Sequence, residues 1–144
     1  MNVTDLLRTK GVEVETIAPD STIADAARVL AVRHIGALVV STDGGEIEGI
    51  LSERDIVRLV AEQGASSLEE PVTRAMTAEV RTCARSDSLE DLMSVMTDHR
   101  IRHLPVSTGG RLDGIVSIGD VVKNRMEQLQ AEQEHLQAYI TQGG

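Results

Sequence analysis

Apolar positions along this chain follow first a strand-like and then a helical spacing, and the pattern occurs twice. Ile23, Ala26, Ala27 and Leu30 recur at helical intervals, as do Leu89, Leu92, Met93 and Met96. Short apolar runs bounded by turn residues surround each of these helices. Glu13 to Ile17 and Val80 to Cys83 read as first strands, and Ala37 to Ser41 and His103 to Ser107 as buried middle strands. Ile47 to Ser52 and Leu112 to Ser117 read as return strands. Asp43-Gly44-Gly45 and Thr108-Gly109-Gly110 have the composition of the hairpin turns between them. Thr22 and Ser88 stand where helix N-caps are needed. A second helix follows each return strand, with Ile56-Val57 in one half and Val121-Val122 in the other.

The two halves are copies. At an offset of 66 residues, Thr16 falls on Thr82, Asp25 on Asp91, Val29 on Val95, Ile35 on Ile101 and Leu38 on Leu104. After a one-residue deletion in the turn, Gly49-Ile50 falls on Gly114-Ile115, Ser52 on Ser117 and Asp55 on Asp120. Tandem duplication is the economical explanation. The element order β-α-β-β-α, stated twice, predicts an α+β fold.

Three segments lie outside the repeat. Val3 to Thr9 predicts a short opening helix. Gln63 to Glu70, with its glycine, serines and acids, reads as a linker, and Pro71 to Met76 leads into the second copy. Ile118 to about Ile140 predicts one long helix. Its positions Val122, Met126, Leu129, Gln133, Leu136 and Ile140 advance by alternating four and three residues. That spacing fits either a dimer seam or a helix packed on its own module. The division expected is residues 1–62 for the first repeat with its lead-in, 63–76 for the linker, 77–125 for the second repeat and 126–144 for a helical extension.

Composition narrows the function. The chain of 144 residues is acidic, with net charge −9 and pI about 4.8, and has no dense basic run, so nucleic acid and anionic membrane are poor partners. Tyr139 is the sole aromatic residue; the core must be aliphatic, and stacking platforms for single-stranded nucleic acid are missing. Cys83 alone forms no disulfide within the chain and falls in a buried strand pattern. No apolar run approaches a membrane span and no leader pattern opens the sequence, so the cytoplasm is the default location.

The chemistry concentrates at two corners, Gly49-Ile50-Leu51-Ser52-Glu53-Arg54-Asp55 and Gly114-Ile115-Val116-Ser117-Ile118-Gly119-Asp120. Ser-x-x-Asp at a helix start is a capping box, in which hydroxyl and carboxylate satisfy free backbone amides. The same corner suits a nucleotide. The helix start offers amides to phosphate, and a carboxylate one turn in accepts ribose hydroxyls. The sequence leaves both uses open.

Two tandem β-α-β-β-α units ending in Gly-h-h-Ser-x-x-Asp, where h is apolar, resemble a pair of CBS domains. The resemblance spans about Thr9 to Lys123. It includes His34-Ile35-Gly36-Ala37-Leu38-Val39-Val40 and His99-Arg100-Ile101-Arg102-His103-Leu104-Pro105-Val106. It implies repeats packed with pseudo-twofold symmetry, two clefts between them, and frequent homodimers. The implied ligand is an adenine nucleotide, AMP first, with ADP, ATP, NAD(H) or S-adenosylmethionine as alternatives and no metal. The implied role is a regulator without catalysis, acting through an effector protein that the sequence does not identify.

The family's contacts carry over by position. Asp55 and Asp120 are expected on ribose, with Ser52 and Ser117 beside them. Ile50, Ile115, Ile35 and Ile101 are expected to flank the base, next to middle-strand positions Val39 and Pro105. Val14, Thr16, Val80 and Thr82 on the first strands are expected near adenine. Gly36-Ala37 in one copy faces Arg102-His103 in the other. On that basis Arg102 and His103 are expected to hold phosphate in the Ser117–Asp120 cleft. Arg54, replaced by Gly119 in copy two, is expected to serve the Ser52–Asp55 cleft. Arg100 is expected to turn outward by strand alternation.

Two other classes compete. Catalysis lacks support, because His34, His99, His103 and His135 show no ligand spacing and no P-loop or nucleophile motif is present. A ligand-free adaptor, with the corners serving only as caps, remains the alternative to a sensor.

Overall fold

A computed structural model describes residues 1–143. The chain runs α1 (Val3–Lys10), β1 (Thr16–Ile17), α2 (Ile23–Arg33), β2 (Ala37–Val40), β3 (Gly49–Ser52) and α3 (Glu53–Gln63). Two 3-10 turns, Ala65–Glu69 and Val72–Arg74, lead to α4 (Leu89–His99), β4 (His103–Thr108), β5 (Arg111–Ser117) and α5 (Ile118–Gly143). No described helix is long and apolar enough to cross a membrane.

Local chemistry sets the helix ends. The Thr22 hydroxyl accepts from Asp25 N at 3.1 Å while Asp25 accepts from Thr22 N at 3.3 Å, a complete capping box on α2. Ser88 caps α4 by accepting from Asp91 N at 3.1 Å. Both helices end on a left-handed residue, His34 (φ 55°) and Arg100 (φ 53°), a conformation usually left to glycine or asparagine. That residue reverses the chain into the middle strand.

In the first repeat β2 is central, parallel to β1 through Thr16↔Val39 and antiparallel to β3 through Ala37↔Ser52 and Val40↔Gly49. In the second, β4 and β5 pair antiparallel from His103↔Ser117 to Thr108↔Arg111, around a turn with φ 59° at Gly109 and 80° at Gly110. The expected first strand over Val80 to Cys83 does not form as a strand. Only Cys83 bonds to β4, donating its amide to the Pro105 carbonyl and accepting from Ser107 N, both at 2.9 Å. Arg81 and Thr82 are exposed, so burial fixes a single residue of the run.

Two aliphatic cores form, one per repeat, and the lead-in segments cross between them. Val3, Leu6 and Leu7 of α1 precede the first repeat in sequence but sit in the core of the second, with Leu92, Leu104 and Val116. Val72, from the segment preceding the second repeat, is buried in the core of the first, with Leu38 and Leu51. The crossings are related by pseudo-twofold symmetry. Val3 N donates to Asp87 O at 3.0 Å and Val72 N to Ser21 O at 2.8 Å, while Leu89 N reaches Met1 O at 3.3 Å and Ile23 N reaches Glu70 O at 2.9 Å.

The glycine that opens each corner motif belongs to this arrangement. A methyl at Gly49 would lie 2.5 Å from Met76 Sδ, and one at Gly114 would lie 3.1 Å from Leu7 Cδ2. In both places the incoming lead-in occupies the space of a side chain.

The long helix is anchored only at its start. Val121 is buried against the second core, whereas Val122, Met126, Leu129, Leu136 and Ile140 are 43% to 65% exposed. Packing on its own module therefore does not cover the seam.

Candidate functional site

Both serine–aspartate corners are complete local boxes. Asp55 Oδ2 accepts from Ser52 N at 2.8 Å and from Ser52 Oγ at 2.9 Å, and Asp55 N donates back to Ser52 Oγ at 3.3 Å. Asp120 Oδ2 accepts from Ser117 N at 2.9 Å, and Asp120 N donates to Ser117 Oγ at 3.1 Å. Glu53 N is tied to Gly36 O at 3.0 Å, and Ile118 N to Arg102 O at 2.8 Å. Two first-turn amides at each helix start are thus already paired, which leaves phosphate binding chiefly to side chains. Among the described residues, Oδ1 of Asp55 and Oδ1 of Asp120 accept no bond from the protein. Each corner can therefore be a cap and still present a carboxylate oxygen.

A cleft opens at each corner. The first, about 630 Å³, joins Ile50, Ser52, Arg54 and Asp55 to Ile101, Arg102 and His103 of the other repeat, with Thr77 beside Ile50. The second, about 520 Å³, joins Ile115, Ser117 and Asp120 to Ile35, Gly36 and Ala37, with Val14 alongside. Both volumes suit small ligands. Gly36, Ala37 and His103 line both clefts.

This geometry leaves Arg54 on its expected cleft and moves Arg102 from its expected cleft to that same one. Arg102 belongs to the Ser52–Asp55 cleft, because the start of each repeat's middle strand faces the other repeat's corner. Arg100 also lines that cleft while remaining exposed. Its left-handed backbone interrupts the alternation on which the outward expectation rests. Arg58, one helical turn beyond Arg54, joins them, as does His99.

The other expected residues divide. Thr16 lies in β1, Val39 is buried inside β2 and Pro105 inside β4, and none of these lines a cleft. Val80, Thr82 and Gly119 line neither cleft. The first-strand neighbour of the Ser52–Asp55 cleft is Thr77, whose amide and carbonyl pair with Ile50 at 2.9 and 3.0 Å. Sequence reasoning missed Lys10, Glu13, Glu15, Arg33 and His34 in the second cleft. His34 aligns with Arg100 at the repeat offset, a signal that was available; Lys10 had none.

The clefts differ in charge. Arg54, Arg58, Arg100 and Arg102 face Glu53 and Asp55 in the first, and none of the four takes part in an ion pair among the described residues. In the second, both cations are engaged: Lys10 Nζ lies 2.6 Å from Asp120 Oδ2, and Arg33 Nε lies 3.4 Å from Glu15 Oε1. Burial raises the Asp120 carboxyl, but Lys10 and the Ser117 amide outweigh it and hold the group below its ordinary value. Burial pushes His103 down, against Asp120 and Glu53 and with help from Lys10 and Arg102, so the ring between the clefts favours its neutral form.

Comparison with known proteins agrees with this architecture. The CBS domain family matches twice, over residues 3–62 and 72–127. The mitochondrial CBS domain-containing protein CBSX3 of Arabidopsis thaliana is 36% identical over 99% of this chain and 72% of its own. The crystal structure of a CBS-domain containing protein from Agrobacterium tumefaciens is 49% identical, covers 87% of this chain and 99% of that one, and superposes with a TM-score of 0.84. A CBS domain protein from Pyrobaculum aerophilum, solved in complex with AMP, is 28% identical, covers 83% of this chain and 89% of that one, and gives a TM-score of 0.74. Duplicated sequence, crossed lead-ins and paired clefts together make this chain a member of the CBS domain family, a tandem pair of CBS domains.

Proposed function

We propose that this chain is a non-catalytic regulatory module that binds adenosyl nucleotides in its two clefts. One observation carries the reading. Each corner, with an unused carboxylate oxygen, faces the middle-strand start of the other repeat, so a ligand there touches both repeats at once. Asp55 or Asp120 would accept ribose hydroxyls, and Ile50 with Ile101, or Ile35 with Ile115, would flank the base. The AMP complex of the Pyrobaculum aerophilum protein supports the same ligand class.

Such a ligand signals by favouring one arrangement of the repeats, by no more than its differential affinity for the two arrangements. The output passes to an effector protein or to a change of assembly. A homodimer joined along the exposed heptad positions of α5 belongs to this reading.

Titration calorimetry of the nucleotide-stripped protein with AMP, ADP, ATP, S-adenosylmethionine, NAD and NADH tests it. Binding that disappears in Asp55→Ala or Asp120→Ala supports the sensor. The adaptor reading rests on the completeness of both capping boxes. It predicts silence across the panel from a folded protein, with each substitution costing only about 1 kcal/mol of stability.

A further inference from the structure

The two clefts carry opposite charge patterns, and this separates their ligands. The geometry points to the Ser52–Asp55 cleft as a site for a nucleoside polyphosphate, whose phosphate tail is held by Arg54, Arg58, Arg100 and Arg102. The inference rests on the adenosyl reading and specifies the ligand of that same site.

Four exposed arginines, none ion-paired among the described residues, line one cleft of a protein whose net charge is −9. They come from three places in the chain. Arg54 and Arg58 are stacked one turn apart on α3, Arg100 sits at the left-handed end of α4, and Arg102 stands before β4. Unpaired like charges held together repel one another, and a polyanion placed among them relieves that repulsion. Guanidinium pairs with phosphate oxygens bidentately, and one monophosphate has too few oxygens to engage four such groups. The first-turn amides at Glu53 and Asp55 are already paired, so the arginines must supply most of the phosphate contacts.

The opposite cleft lacks this equipment. Lys10 and Arg33 are committed to Asp120 and Glu15, and Glu13 adds a further acid. A phosphate tail there meets net negative surroundings.

The test uses the full chain, stripped of nucleotide, at physiological ionic strength, titrated with AMP, ADP, ATP and inorganic tripolyphosphate. Arg58→Gln lies on an exposed helix face, and Arg100→Asn retains a residue that tolerates the left-handed backbone, so both variants should fold. The expected result is affinity rising from AMP to ATP. Each variant should weaken ATP about tenfold and AMP by a smaller factor. Asp55→Asn should weaken ATP, and Asp120→Asn should not. Equal affinity for AMP and ATP, unchanged in both arginine variants, overturns the inference while leaving the adenosyl reading intact. ATP binding lost in Asp120→Asn also overturns it. Tripolyphosphate binding that both arginine variants weaken, with every nucleotide silent, overturns the inference together with the adenosyl reading and leaves only an inorganic polyanion site. Silence from all four ligands removes both.

Discussion

Lys10 Nζ lies 2.6 Å from Asp120 Oδ2 and 2.7 Å from the Ile115 carbonyl oxygen, so the last turn of α1 is fastened across the corner of the second repeat. The two side chains are each 26% exposed, and the contact joins residues 110 apart in the chain. Lys10→Met keeps the apolar stem and removes the charge. It should lower stability by about 1 kcal/mol at pH 7, measured by urea unfolding. Asp120 is held below its ordinary value, so the stabilisation is present above the unfolded carboxyl pKa and is lost as pH falls through the folded one. The gap between variant and parent should therefore shrink near pH 3. A gap of equal size at both pH values would show that the ion pair contributes nothing.

His103 makes a separate prediction. Burial lowers its folded pKa, while the unfolded chain titrates at its usual 6.5. Below pH 6.5 the unfolded state therefore takes up a proton that the folded state resists, and stability should fall as pH drops. His103→Gln should flatten unfolding free energy between pH 7.5 and 5.5. An unchanged slope would assign the pH dependence to other groups.

Cys83 should be chemically silent. Burial, with Asp87 nearby, pushes its thiol up to about 12, and the side chain lies in the second core. A chromogenic disulfide reagent at pH 8 should label the native protein far more slowly than the urea-unfolded chain. Rapid native labelling would place the thiol outside the core.

The α5 seam predicts an assembly. If Leu129 and Leu136 pack against a second copy, changing both to Glu should convert a dimer to a monomer in light scattering coupled to gel filtration. The unfolding of the CBS pair should be little changed, because these side chains are exposed within the protomer. A parent protein that is monomeric at high concentration rules out the seam.

The repeat, the helices and the corner boxes were legible because each depends on residues a few positions apart. Thr22 with Asp25, Ser52 with Asp55 and Ser117 with Asp120 close their bonds within one helical turn, whatever the rest of the chain does. The middle strands were legible too, since continuous burial selects continuous apolar runs. The first strand of the second repeat was not, because a single bridging residue leaves almost no periodic trace.

What only the tertiary structure decided is which residues share a cleft. The sequence placed Arg102 beside Ser117, its neighbour along the same repeat, whereas packing placed it beside Ser52. It offered no reason to bring Lys10 to Asp120 or Val72 to the first core. Such partnerships come from how each crossed lead-in buries apolar surface in the core of the other repeat. Burial is non-directional and acts between segments far apart in the chain, so it leaves no spacing to read.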